Sequence, residues 1–347
     1  MSISLEIAKK TAAEGYGLVV ESIAPLALGR VNESFQLVSG GQTYCLQRLN
    51  DFFEGYPALG DNWLLAQAAL QAKDWPFPSL QLAKAGETLW RGEGFFRLTR
   101  WLKGEIPKAG EPQAAYLAGR FLGQCHRALN EPKPLANLEP LPPNGEFTNQ
   151  RLVSPEDFEA IFSNYRRHPR LPQIAPAIVR AREAARRLPG RPAFRRVFWA
   201  RDQVIHADPK RENFLFAGQD VALVDWDTLS YGDPLIDLGE LCRSFAVLKP
   251  LSKFHLALAV AAVEGYLAAG LPIEKDVSTL LPATIRALAL SLARRYLIDA
   301  LAEVYFSWDK SSYPSLFSQN EARALALLNL AEELEIREME ITKAFTF

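Results

Sequence analysis

The chain has 347 residues, 48% of them hydrophobic, enough for one large core or two lobes. Lys plus Arg number 39 against 40 Asp plus Glu, so no global field draws the protein to nucleic acid or to an acidic membrane. Cys45, Cys125 and Cys242 are widely spaced and form no CxxC pair, which speaks against disulfides and a zinc cluster and suits a reducing cytoplasm.

In chain order, residues 1–10 lack a signal-type apolar core, and a helix is expected over 4–14. Gly29-Arg30-Val31-Asn32-Glu33-Ser34-Phe35, followed by Tyr44 to Asn50, reads as a strand, a glycine-containing turn and a hairpin partner. Gly29 lets backbone approach a phosphate, and Asn32 and Ser34 can donate hydrogen bonds to it. Arg48 ends the second, alternating strand, where its guanidinium could take phosphate oxygens bidentately; the alternative is a solvent-facing edge residue. A helix over 61–73 would offer Asp61 as an ion-pair partner for Arg48. Strands are expected around 79–100. Phe95 to Trp101 alternates before Lys103-Gly104, as a last strand running into an interlobe hinge would. A nucleotide base is expected against the backbone there, which makes Trp101 a candidate cofactor contact.

Helices are then expected near 111–130, 155–167, 174–188, 234–247, 254–269, 276–306 and 318–339. The arginines between Arg166 and Arg196 are dense but carry no aromatic stacking ladder, so they read as a solvated helix face rather than a nucleic-acid surface. The apolar stretch from Leu256 to Leu271 is interrupted by Glu264 and is shorter than a bilayer span of about 20 residues.

Between these helices lies His206-Ala207-Asp208-Pro209-Lys210-Arg211-Glu212-Asn213, then an apolar strand ending in Asp225-Trp226-Asp227, then Gly232-Asp233-Pro234. Phosphoryl transfer to a hydroxyl needs a carboxylate to orient the acceptor and take its proton, and Asp208 at a loop tip could do that. Lys210, two residues on, would meet the transferring group as a point charge. Asn213, Asp225 and Asp227 supply the hard oxygens that suit Mg²⁺ on nucleotide phosphates. His206 reads as a loop anchor rather than a reacting group, and Asp237 as a hydrogen-bonding support for the catalytic loop. Among the later residues, Arg295 either serves the site or pairs with Asp299 at i+4, and Tyr305 on spacing alone reads as a core aromatic.

The HxDxKxxN segment with its DxD resembles the catalytic and metal-binding loops of the aminoglycoside phosphotransferase and choline kinase superfamily, whose fold is similar to that of protein kinases. Ala207 and Asp-Trp-Asp depart from the HRD and DFG of protein kinases, and no Ala-Pro-Glu triplet follows, which favours a small-molecule acceptor. GxxNxxF with Leu46-Gln47-Arg48, the DLGELCR run from Asp237, and Arg295 through Tyr305 to Pro314 look like N-acetylhexosamine kinases acting at the anomeric hydroxyl. That resemblance implies Asp208 as base, Asn213 and Asp225 as metal ligands, and Arg295 and Tyr305 as sugar contacts. It also places Arg30, where those kinases carry His, beside the acceptor.

The expected fold is α+β and two-lobed, protein-kinase-like: an antiparallel-sheet lobe over 1–101 that clamps nucleotide, and a mostly helical catalytic lobe over 102–347. The expected activity is ATP- and Mg²⁺-dependent phosphorylation of a sugar or amino sugar, without nucleic-acid or membrane partners. Phosphorylation of an aminoglycoside or amino alcohol, and a non-catalytic binding module on the same scaffold, are the alternatives.

Overall fold

The computed structural model describes residues 3–26, 31–56, 58–139, 152–248, 253–269 and 279–346. Gly29 and Arg30 lie outside the described residues.

Helix α1 (Leu5–Tyr16) starts where the Ser4 side chain accepts from the Ile7 N–H, and stops at Gly17, whose positive φ of 70° suits a residue without Cβ. Strands β1 (Ser22–Leu26), β2 (Glu33–Ser39) and β3 (Gln42–Arg48) follow, then α2 (Leu59–Gln71), β4 (Leu80–Gln81), β5 (Trp90–Gly92) and β6 (Gly94–Arg100). They form one antiparallel sheet in the order β1-β2-β3-β6-β4, with β5 also on β6. Alternation divides its faces. Phe35, Leu37, Tyr44, Leu46, Phe96 and Leu98 pack with Ala8 and Ala12 of α1. The register pairs Cys45 with Thr99 and Gln47 with Arg97, so these four share the opposite face.

After β6 the chain crosses to the second lobe. Glu105 and Phe216 exchange backbone hydrogen bonds of 2.9 Å in each direction. At Gly104, φ is 147° and a Cβ would lie 3.2 Å from the Phe216 backbone, so the crossing needs glycine. Helices α3 (Pro112–Asn130), α4 (Pro155–Tyr165), α5 (Leu171–Arg186) and α6 (Pro192–Trp199) come next. The short strands β7 (Gln203–Ile205), β8 (Phe214–Ala217), β9 (Asp220–Leu223) and β10 (Ser230–Gly232) pair as β8 with β9 and β7 with β10. The chain continues through α7 (Pro234–Ala246), the pair β11 (Val247–Leu248) and β12 (Lys253–Phe254), α8 (Leu256–Ala268), α9 (Leu281–Ala302), α10 (Leu316–Ile336) and α11 (Glu338–Ala344). The fold is thus an antiparallel-sheet lobe followed by a mainly helical one, as expected for a protein-kinase-like chain. One apolar core runs from Trp63 and Phe77 at the first lobe through α3, α7, α8 and α9. Among the described residues, no helix is long and apolar enough to cross a membrane.

Two expectations need correction. The helix expected to 306 ends at Ala302, with Glu303 in the left-handed region, because Asp299 accepts the backbone N–H groups of Val304, Tyr305 and Phe306 at 2.7–2.9 Å and turns the chain away. Helix α6, opened by Pro192, was hidden in the basic stretch. The stretch from Arg166 to Arg196 runs from the end of α4 through α5 into α6, and most of its arginines are solvent-exposed, as expected of a solvated face, while several reach acids: Arg180 to Glu332 at 2.6 Å, Arg187 to Glu335 at 2.8 Å and Arg170 to Glu303 at 2.6 Å.

Candidate active site

The catalytic loop leaves β7 and is held from beneath by one carboxylate. Asp237, fully buried in α7, accepts from the His206 N–H (2.7 Å, Oδ2) and the Ala207 N–H (2.7 Å, Oδ1). His126 of α3 meets the same Oδ2 at 2.9 Å through Nε2, while its Nδ1 meets the Tyr266 hydroxyl of α8 at 2.8 Å. Tyr266 and Asp237 thus tie three helices to one loop. Ala207 has φ of 66°, a conformation that costs an L-residue about 1–2 kcal/mol. The paired N–H bonds to Asp237 offset that cost.

His206 is buried. Its Nδ1 accepts from the Asp208 N–H at 3.3 Å and its Nε2 donates to the Val224 carbonyl at 3.2 Å. Burial pushes its pKa down, so the ring is neutral and structural, packed edge-on against Trp226.

Asp208 stands at the loop tip in contact with the Lys210 ammonium, which also lies 3.8 Å from Asp225. Burial works to raise the Asp208 carboxyl, but Lys210 and the Arg295 guanidinium outweigh it and hold the pKa below the ordinary value. Lys210 is the converse: burial would lower it, yet Asp208 and Asp225 hold it up. Asp225 is pushed up to about 6, by burial first and then by the charges of Asp227 and Asp208. At neutral pH the site therefore holds an ionised Asp208 against a charged Lys210.

Asn213 follows a single 3-10 turn. Its side-chain N–H donates to the Asp208 carbonyl at 2.9 Å, and its own carbonyl accepts from Val224, beside Asp225. The Asn213 side-chain oxygen and the Asp225 carboxylate thus sit on adjacent ends of the β8/β9 hairpin. They are hard donors of the kind Mg²⁺ takes together with phosphate and water. Among the described residues no group of three or more His, Cys, Asp or Glu could hold a metal by itself.

Asp227, expected as a third metal ligand, is buried and engaged by partners from the first lobe. Its oxygens take both Nη atoms of Arg97, with Nη2 at 3.2 Å, and the Asn32 amide at 3.0 Å. A carboxylate so enclosed has little left to offer a cation. Asn32, expected on phosphate, bridges the lobes: its carbonyl accepts from the Asn50 N–H at 2.9 Å while its amide reaches Asp227. Ser34 accepts from Gln47 at 3.2 Å on the same face. Trp101 is half-buried after β6, its N–H bonded to Thr43 at 3.1 Å.

Arg48 does not meet Asp61. It reaches Asp51, three residues on, at 2.8 Å, whereas Asp61 accepts from the Thr88 hydroxyl at 3.3 Å. The 3-10 turn over Asp51–Gly55 brings Asp51 within reach.

On the acceptor side, Arg295 of α9 is buried and its charge acts on both Asp208 and Tyr305, which places them in one neighbourhood. Burial pushes the Tyr305 phenol up to about 12. Its ring meets Phe52 of the first lobe edge-on at 5.7 Å and Phe306 at 4.9 Å. Asp299, the expected i+4 partner of Arg295, gives its oxygens to three backbone N–H groups and to Asn320 at 3.0 Å.

Arg97 is the residue sequence reasoning missed. Its guanidinium also donates to Gln47 at 2.7 Å and lies 3.9 Å from the Trp63 ring. The available signal was a charge in the middle of a strand at the heart of a sheet, but in an alternating run that reads as a solvated face.

Comparison with known proteins places this geometry in a family. Three solved structures share the fold over nearly the whole chain. An aminoglycoside phosphotransferase from Alicyclobacillus acidocaldarius is 14% identical over 98% of this chain and 97% of its own, with a TM-score of 0.56. The amicoumacin kinase hAmiN is 13% identical over 93% of each chain, with a TM-score of 0.61. A microcompartment-associated aminopropanol kinase is 15% identical over 96% and 98%, with a TM-score of 0.65. At these identities the likeness establishes the fold alone. No curated protein matches the chain. The family model for the phosphotransferase enzyme family matches residues 22–272, well over half of the sequence, and the chain belongs to that family of small-molecule phosphotransferases.

Proposed function

We propose that this phosphotransferase transfers the γ-phosphoryl group of ATP to a hydroxyl of a sugar or amino sugar, the anomeric hydroxyl being the position its sequence resemblance suggests. The observation that carries the transfer chemistry is the ionised Asp208 set against Lys210 and within reach of the field of Asp225. Asp208 accepts the hydrogen bond of the acceptor hydroxyl, orients its lone pair toward phosphorus and takes the proton as the new P–O bond forms and the bond from the γ-phosphorus to the bridging oxygen breaks, releasing ADP. Lys210 meets the negative charge of the transferred group. Asn213 and Asp225 would hold Mg²⁺, which when bound neutralises phosphate charge. The amicoumacin kinase of like fold was solved in complex with AMP-PNP and Ca²⁺, which supports a nucleoside triphosphate with a divalent cation as donor here.

The acceptor reading rests on charge. A site for a cationic aminoglycoside or amino alcohol needs carboxylates facing the acceptor. Of the acids that precede Tyr305 in the chain, Asp299 closes α9 and Glu303 pairs with Arg170, while Arg295 adds a positive charge beside Asp208. A neutral polyol fits that balance better than an amine does.

The test is ADP release from Mg-ATP by purified protein across hexoses, N-acetylhexosamines, amino alcohols and aminoglycosides, with Asp208→Asn as the blank. A sugar-dependent signal lost in the variant supports the reading. An amine-dependent signal with none from sugars replaces it with the aminoglycoside or amino-alcohol alternative.

A further inference from the structure

Protein kinases align nucleotide phosphates with a Lys on one strand of the small lobe, paired to a Glu on its helix. Nothing equivalent is present among the described residues. The third strand carries Gln47 and Arg48 near its end; Gln47 is neutral, and Arg48 is turned to Asp51. Asp61, the acid in the first turn of α2, accepts from Thr88. The cation that faces the metal-bearing turn comes instead from the neighbouring strand.

We propose that Arg97, through its buried ion pair with Asp227, is a positioning residue that latches the metal-binding turn at Asp225 to the nucleotide-clamping sheet. The inference rests on the nucleotide reading given above.

Four elements meet at the Arg97 guanidinium. It lies on β6, donates to Gln47 of β3 at 2.7 Å, stacks 3.9 Å from the Trp63 ring of α2, and holds both oxygens of Asp227. Arg97 is 0% exposed and the Asp227 side chain 3%, so solvent does not weaken the pair. Asn32 adds a third hydrogen bond to Asp227 from the turn after β1.

The turn needs such a hold. Asp225 has φ 68° and ψ 58°, left-handed for a residue with a Cβ, and conformations of that kind persist only where the surroundings over-determine them. From the C-terminal lobe the turn is held by Thr228, which donates to the His206 carbonyl at 2.8 Å, and by His206, which donates to Val224. From the N-terminal lobe it is held by Arg97 and Asn32. The latch therefore fixes where Asp225 stands relative to the sheet that carries the nucleotide.

The experiment is calorimetric ATP binding with and without Mg²⁺, alongside thermal melts, for the wild type, Arg97→Gln, Arg97→Lys and the double variant Arg97→Met with Asp227→Asn. In the wild type, Mg²⁺ should strengthen ATP binding. In folded Arg97→Gln, metal-free ATP should bind within about twofold of wild type while the gain from Mg²⁺ falls about tenfold or more, and Arg97→Lys should recover part of it. A purely structural role would instead lower both affinities together. Wild-type protein that does not bind ATP at all would sink the nucleotide reading and this inference with it. Wild-type ATP binding together with a Mg²⁺ gain within about twofold of normal in Arg97→Gln would overturn the latch alone. Should Arg97→Gln fail to fold, the double variant decides, because replacing both members of a buried pair is often neutral for stability. A wild-type Mg²⁺ gain in that variant overturns the inference, and a lost gain supports it.

Discussion

At the scale of single residues, the proposed chemistry separates groups that react from groups that hold them. Asp208 is ionised because Lys210 and Arg295 outweigh its burial, so it is ready to accept a hydroxyl hydrogen without first losing a proton. Asp208→Asn keeps the shape and removes the charge. Turnover should fall by about 10²–10⁴-fold while Mg-ATP affinity, read by titration calorimetry, changes little. Turnover within a few-fold of wild type would remove Asp208 from the mechanism. Asp237 is a support of the other kind, touching no reactant and satisfying two loop N–H groups and His126. Asp237→Asn replaces one of those acceptor oxygens with an N–H donor, which should cost about 1–3 kcal/mol of stability. Because Ala207 needs that support to stay left-handed, kcat should fall further than nucleotide affinity does. Chemical denaturation and steady-state kinetics on the same preparation check both effects, and a drop in stability with kcat unchanged would detach Asp237 from the catalytic loop.

At the scale of elements, the support depends on how closely α3 and α8 approach. A Cβ on Gly265 would fall 1.9 Å from the Tyr116 carbonyl, and one on Gly119 would fall 2.0 Å from that of Ala262. No side-chain adjustment relieves a clash with backbone, so the helices would have to separate, and His126 and Tyr266 lie on the two of them. Gly265→Ala should therefore destabilise by about 1–3 kcal/mol or more and lower activity beyond the loss of folded protein. An unchanged melting temperature would mean that the contact yields. This element-level logic was only partly legible in the sequence. Asp208, Asn213 and Asp225 could be placed together because the loop and the hairpin carry them within 18 residues, where spacing and turn chemistry decide geometry. Arg97 could not, because its partner Asp227 is 130 residues away and a buried arginine on a strand reads like any polar alternate. Asp299 carries more than its i+4 spacing from Arg295 suggests: the backbone N–H groups of Val304, Tyr305 and Phe306 take its oxygens and end the helix. Arg48 shows the reverse bias, since a nearby acid in a tight turn took it before a distant one on the next helix could.

At the scale of the whole molecule, three of the contacts between the two lobes differ in chemistry. The Glu105–Phe216 backbone exchange forms the crossing, the Arg97–Asp227 pair joins the sheet to the turn at Asp225, and Phe52 meets Tyr305 edge-on at 5.7 Å where the acceptor is proposed to bind. The third contact has a consequence for ligand binding. Phe52 follows Asn50, whose backbone N–H is held by Asn32 and whose side chain accepts from the Phe52 N–H at 2.9 Å. Asn32 in turn reaches Asp227. A nucleotide that firms the first lobe onto the metal turn should therefore also firm Phe52 against Tyr305 and favour the acceptor. An edge-on aromatic pair is worth about 0.5–1.5 kcal/mol, so the coupling through it is bounded at roughly 2- to 13-fold in affinity. Acceptor affinity should rise within that range when a non-hydrolysable nucleotide with Mg²⁺ is present, and Phe52→Ala should remove most of the rise while leaving nucleotide affinity near wild type. Reciprocity supplies a second reading of the same quantity, because the acceptor must strengthen nucleotide binding by the same factor. Coupling that survives Phe52→Ala intact would place communication between the two ligands in the Arg97 latch or the backbone crossing rather than in the aromatic contact.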